Sequence, residues 1–254
     1  MNETGIEWTD VTWNPVHGCS KVSEGCRNCY AERLSRRYDH TPAPWTPENA
    51  EQNVQLKPHK LEEPFGIGEP SRVFVNSMSD LFHEQVPDKY VQEVLAVCRS
   101  LPQHVFQVLT KRPERAAAFD RVPWPQNIWV GTSVENKRAV DRIDQLRACD
   151  ANTLFVSFEP LIGPVGTVDL NGIEWAIVGG ESGPEDQRRR FRHAWAREIR
   201  DQCAEQDVAF FFKQSAGPHP GTNPALVERD LTRTEYHEQP ELPQVTVDAR
   251  KEAT

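Results

Sequence analysis

Seven short runs of β-prone apolar residues recur along the chain, and each is followed by polar residues and, in most cases, a helical stretch. The runs are "DVTWNPV" (10–16), "RVFVNS" (72–77), "VFQVLTK" (105–111), "IWVGTS" (128–133), "LFVSFEP" (154–160), "EWAIVGGES" (174–182) and "VAFFFKQ" (208–214). They are apolar on successive positions rather than on alternate ones. That is the pattern of strands buried on both faces of a parallel sheet. The segments between them, "DKYVQEVLAVCRSL", "RPERAAAFD", "NKRAVDRIDQLRAC" and "AWAREIRDQCAEQD", read as helices. In the first of them Val91, Val94, Leu95 and Cys98 share one face. Strands alternating with helices imply right-handed βαβ units. The expected fold is therefore α/β, a partial (β/α) barrel of the TIM-barrel type, with an open doubly wound sheet as the alternative.

The 254 residues suffice for one such core. The expected organisation is a single partial barrel over 1–216, with a cysteine loop at 17–30 and a Pro-rich insertion or long loop at 39–71. A C-terminal extension, partly irregular, is expected over 217–254, loose in its last ten residues. No apolar run reaches the length of a membrane span, and "MNETGIEWTD" shows neither a basic n-region nor an apolar h-region. The expectation is a cytoplasmic protein with no membrane association. A net charge of −9 gives no global basic footprint for nucleic acid.

Polar residues gather where the runs stop: Ser77, Ser79 and Asp80; Thr110, Lys111 and Arg112; Thr132, Ser133 and Glu135; Ser157 and Glu159; Glu181 and Ser182; Lys213 and Gln214. In a parallel barrel these ends form one rim, where active sites lie. Glu159 and Glu181 each follow a buried run closely, where a carboxylate needs a partner or water. Lys213 follows "AFFF" in the same way and is a candidate partner. An ion-pair network that only braces the rim is the competing reading.

Three of the six cysteines, Cys19, Cys26 and Cys29, lie in the loop after the first run. Six cysteines over this length do not make a disulfide scaffold, and the Cys-x2-Cys half is a metal-chelating spacing. Two metal readings compete. His17 could complete a closed three-cysteine, one-histidine zinc site. Alternatively, three thiolates hold a 4Fe–4S cluster and leave one iron without a protein ligand. Cys98, Cys149 and Cys203 sit singly on helical patterns and read as core residues.

A cysteine loop after strand one, with Cys-x2-Cys and then Tyr30, resembles the radical S-adenosylmethionine superfamily, although the first spacing here is x6 where x3 is commonest. The ordered series "TWNPVHGC", "CRNCYAERL", "VFVNSMSDLF", "VFQVLTKRPER", "IWVGTSVEN", "SFEPLIGPV", "WAIVGGESG", "RDQC" and "FFFKQ" resembles, across nearly the whole chain, a phage-associated three-cysteine-motif family. The superfamily resemblance implies a cluster held by Cys19, Cys26 and Cys29, with S-adenosylmethionine as small-molecule cofactor and an electron-donor protein as partner. It implies a 5′-deoxyadenosyl radical that takes a hydrogen atom from substrate. Tyr30 would pack near the adenine. Ser79 and Asp80 resemble the variant of the amino-group motif used by the photolesion-repair branch. Lys111, Ser133 and Glu135 would bind the cofactor, as would Arg189 through a carboxylate or phosphate. Glu181, Glu159 and Lys213 are the catalytic candidates. The substrate is left open, with a nucleic acid or nucleotide as one candidate. The alternative from another class is a zinc-stabilised interaction or nucleic-acid-binding protein.

Overall fold

All seven runs form strands that lie parallel in one sheet. The computed structural model describes residues 2–119 and 123–218. In chain order the elements are β1 (Asn2–Glu3), β2 (Val11–Trp13), β3 (Val16–His17), α1 (Tyr30–Arg37), α2 (Ala50–Asn53), β4 (Gln55–Leu56), β5 (Arg72–Val75) and α3 (Asp88–Ser100). There follow β6 (Val105–Thr110), α4 (Pro113–Ala117), β7 (Ile128–Ser133), α5 (Asp141–Arg147), β8 (Thr153–Phe158), β9 (Trp175–Gly179), α6 (His193–Glu205) and β10 (Ala209–Gln214). The main sheet has the order β1-β2-β5-β6-β7-β8-β9-β10. Every pair from β2 to β10 is parallel, and β1 is an antiparallel edge on β2.

Packing shows that the sheet curls. A flat sheet would hold β5 and β9, four strand spacings apart, at about 19 Å. Yet the Trp8 ring lies 4.8 Å from Phe74 on β5 and 6.0 Å from Trp175 on β9. The concave face carries Phe74, Trp129, Phe155, Trp175, Ile177 and Phe211, all buried with Trp8 in one cluster. Phe155 lies so closely over Gly131 that a Cβ there would meet the ring at 2.5 Å. The alternate residues of the same strands, such as Val73, Val108, Val130, Val156 and Phe212, face outward and pack with Val94, Ile143 and Ile199 of the helices. Strands β7, β8 and β9 are buried along their whole length, which explains why apolar residues occupy successive positions in them. The architecture is a partial (β/α) barrel, as the sequence predicts.

Two expectations need correction, and a third is decided. The first run is not one strand: β2 stops at Trp13, and after Asn14 and Pro15 the chain forms β3, which pairs antiparallel with β4 in a separate small sheet. Proline lacks the N–H a ladder needs. Of the two readings of 39–71, insertion or long loop, the structure has an insertion with elements of its own. It contains α2, β4 and short helical turns, and buries Trp45 and Asn53. It is tied to the sheet by the Trp13 indole, which donates to the Lys60 carbonyl at 2.7 Å. The "RPERAAAFD" helix is short, ending at Ala117. The expected C-terminal extension lies outside the described residues from 219 onward. No helix among the described residues is long and apolar enough to cross a membrane.

Candidate active site at the strand ends

The cysteine loop is fixed at its start by Gly18. Its φ is +81°, and a Cβ there would lie 2.0 Å from the Asn53 backbone oxygen. Only glycine suits both demands. The Gly18 N–H donates to the Met78 carbonyl at 3.1 Å, which ties the loop to the chain leaving β5. Further on, a single helical turn over Glu24–Cys26 sets Gly25 against Glu135, where a Cβ would come within 2.3 Å of Glu135 Cγ. The Ser23 hydroxyl donates to Glu135 Oε1 at 2.8 Å and lies 3.8 Å from Cys26 Sγ. Cys29 caps the N-terminus of α1.

All three thiols are free, and all three line one cavity inside the mouth of the barrel. Burial pushes the Cys19 thiol up to about 12, with the Asp80 carboxylate adding to the rise and Arg112 opposing it. Burial also raises Cys29, partly offset by the Glu32 amide. Buried thiols of this kind become good ligands when a metal supplies the positive charge. Three soft donors on one loop, with Arg112 and Lys111 on the same wall, fit an iron–sulfur cluster.

Among the described residues, no three His, Cys, Asp or Glu side chains converge on one metal ion. His17 is not on the cavity wall. Its ring packs 5.5 Å from His40, and burial, with Lys57 and Lys60 nearby, lowers its pKa to about 4. His17 therefore does not share the cavity with the three cysteines.

Around the rim, Tyr30, Ser79, Asp80, Lys111, Ser133, Glu159, Glu181 and Lys213 all reach the cavity with the cysteines. Lys213 Nζ meets Glu159 Oε1 at 2.7 Å, as the sequence suggests. The Tyr30 hydroxyl donates to the Ser77 carbonyl at 2.7 Å, and Ser79 to the Val16 carbonyl at 2.7 Å.

Asp80 is largely occupied by its own chain. Its Oδ1 accepts from the Phe82 amide at 3.0 Å and the Thr110 hydroxyl at 2.7 Å. Its Oδ2 accepts from the Lys111 amide at 3.0 Å and from Arg112 at 3.3 Å. Arg112 in turn reaches Glu84 at 3.0 Å, the Ser20 hydroxyl at 3.2 Å and Cys19 Sγ at 3.6 Å. The sequence marks Arg112 only as one polar residue at a strand end. Nothing in "TKRPER" distinguishes it from Lys111.

Two residues expected on the cavity wall are not there. Glu135 is buried under the cysteine loop, bonded to Ser23 and paired with Arg142 at 3.0 Å and Lys111 at 3.6 Å. Burial alone would raise its pKa, but Lys111 and Arg142 hold it below the usual carboxylate range. Arg189 meets a carboxylate, but it is that of Glu181, through its backbone N–H at 2.7 Å and its guanidinium. Arg189 also donates to the Glu24 carbonyl at 2.7 Å, and Asn28 donates to Glu181 Oε2 at 3.0 Å. The loop after β9 is thereby clasped to the cysteine loop.

A family model described as "Protein of unknown function (DUF5131)" matches residues 3–240. No curated protein matches the chain. Among solved structures, "Spore photoproduct lyase complexed with dinucleoside spore photoproduct" is similar at 9% identity and a TM-score of 0.41. The similarity covers 82% of this chain and 64% of that one, so this chain spans less than two thirds of its length.

Proposed function

We propose that this chain, which belongs to the DUF5131 family of proteins of unknown function, is a radical S-adenosylmethionine enzyme in which Cys19, Cys26 and Cys29 hold a 4Fe–4S cluster. One observation carries the reading: three free, half-buried thiols from one loop line a single cavity at the C-terminal ends of seven parallel strands. That is the face of a parallel barrel on which chemistry is placed. Three donors leave one iron for a small molecule. With S-adenosylmethionine bound, a cluster held by Cys19, Cys26 and Cys29 would supply one-electron reduction of that cofactor.

The chain's own residues hold, orient and exclude. Asp80 positions Arg112 against Cys19, and Glu135 braces the turn that carries Cys26. The Lys213–Glu159 pair, with Ser133 and Ser157, offers charged and hydroxyl groups to a bound cofactor and substrate. Tyr30 and Ser79 complete the wall nearest the loop. Glu181, expected as catalytic, is better explained as a positioning residue, since Arg189 and Asn28 occupy its carboxylate. The aromatic cluster below keeps water out of the lower barrel.

Anaerobic purification tests the reading. About four irons and four sulfides per chain are expected, with a brown absorbance that Cys26→Ala abolishes. Incubation with dithionite and S-adenosylmethionine should then release 5′-deoxyadenosine. Stoichiometric zinc without sulfide would overturn the proposal.

A further inference from the structure

A second hollow lies on the outer side of the cysteine loop, against α1. Arg27, Arg33, Arg36 and Arg37 line it, and all four are exposed. None of the four has a carboxylate partner among the described residues. Glu32, the one acid lining the hollow, is turned inward, to Lys21 at 2.8 Å and to the Trp45 amide at 2.8 Å. Asp39 and Asp186 flank the lining residues in sequence. In a chain of net charge −9 this is a local positive surface against an acidic background.

We infer that this hollow seats the phosphate backbone of a single-stranded nucleic acid, which presents one base to the neighbouring cavity. Three observations support that occupant. The first is extent: the eight residues of α1 span about 12 Å, more than one phosphate requires. The second is the presence of two aromatic rings near the hollow, although neither lines it. Tyr38 is 61% exposed with the Arg37 guanidinium 5.6 Å from its ring centre, and Tyr30 is 39% exposed at the cavity mouth. A basic groove with aromatic rings beside it is how single strands are held without sequence preference. The third is continuity: Lys21, Asn28 and Cys29 line both the hollow and the cavity. A base that enters a barrel mouth must leave its stack, which a single strand allows at least cost. The inference rests on the proposed function only for what happens to the base inside the cavity.

Fluorescence anisotropy on the full chain tests it, with a labelled mixed-sequence DNA strand longer than the ~16 nucleotides that one such platform covers. Binding should weaken with salt, each phosphate contact contributing about 0.7 to the log–log slope. The triple variant Arg33→Ala, Arg36→Ala, Arg37→Ala should lose about 2 from that slope and roughly tenfold or more in affinity. Its melting temperature should match the parent's, because these side chains are exposed. The corresponding triple lysine variant should keep the slope. The inference fails if the parent does not bind at low salt, or if the alanine variant binds like the parent. It also fails if the lysine variant loses as much as the alanine variant, or if ATP displaces the strand as well as unlabelled DNA does. Each measurement is made on iron-free and iron-loaded protein. Binding by a chain that never takes up iron would leave this inference standing and remove the cluster reading. An iron-loaded chain that ignores DNA would do the reverse.

Discussion

Between Cys19 and Cys26, at least four of the six intervening residues have contacts that fix the loop. Ser20 bonds His83 at 2.8 Å and receives Arg112. Lys21 pairs with Glu32, Ser23 holds Glu135, and Gly25 lies on the same carboxylate. The six-residue spacing thus carries the loop to a brace at Glu135, just beyond the end of β7. Gly25→Ala tests this directly. Glu135 cannot swing away, being held by Ser23, Lys111 and Arg142, so the added methyl should cost about 1–3 kcal/mol by urea unfolding. Gly68→Ala, where nothing lies within 4 Å, should stay within about 0.5 kcal/mol of the parent. At this scale the Lys213–Glu159 pair is legible in the sequence, because both residues end apolar strands on the same side of the sheet. Glu135 is not legible. It stands two residues beyond β7, and whether it turns into the cavity or under the loop depends on Gly25, more than a hundred residues away.

The loop after β9 and the cysteine loop act as one clasped unit through Glu181, Arg189, Glu24 and Asn28. Burial works to raise the Glu181 pKa, but hydrogen bonds from Arg189 and Asn28 outweigh it, and the carboxyl sits below its ordinary value. A folded pKa below the unfolded one gives stability that is present above the unfolded value, about 4.3, and is lost as pH falls through the folded one. Glu181→Gln should therefore lower stability at pH 7 by roughly 1.5–3 kcal/mol. It should also flatten the acid limb, so that the urea midpoints of variant and parent converge below pH 4. A variant that tracks the parent in parallel across the whole range would show that the clasp carries no charge-dependent stability. The elements themselves are legible where burial is complete, as in β7 to β9, whose runs are mostly apolar on successive positions. Segment 39–71 reads only as an insertion or long loop because its anchors are isolated residues, Trp45 and Asn53, with no periodicity to announce them.

At the scale of the whole molecule, the curl of the sheet is held by a floor of aromatic rings. Trp8 reaches this floor from outside the strands that form it, bridging Phe74 and Trp175. Trp8→Ala should cost about 3–5 kcal/mol, whereas Val22→Ala at the exposed rim should change the urea midpoint by less than about 0.5 kcal/mol in free-energy terms. Equal effects would mean that the floor does not hold the barrel together. The sequence predicts seven strands, a rim and a partial barrel, but not which ring holds the curl. Trp8 lies in none of the seven runs, and only its contacts with two distant strands show which way the sheet bends.

Among the described residues, Trp8 and Phe74 of that floor also line the cavity, so aromatic rings form part of its base. On the proposed function, substrate, cofactor and products would share the part of the cavity beside the cysteine loop and its clasp. Traffic through a shared space is sequential: a spent molecule must leave before the next can enter. If the proposed chemistry takes place there, turnover would be limited by departure, with products competing against fresh substrate for the same space.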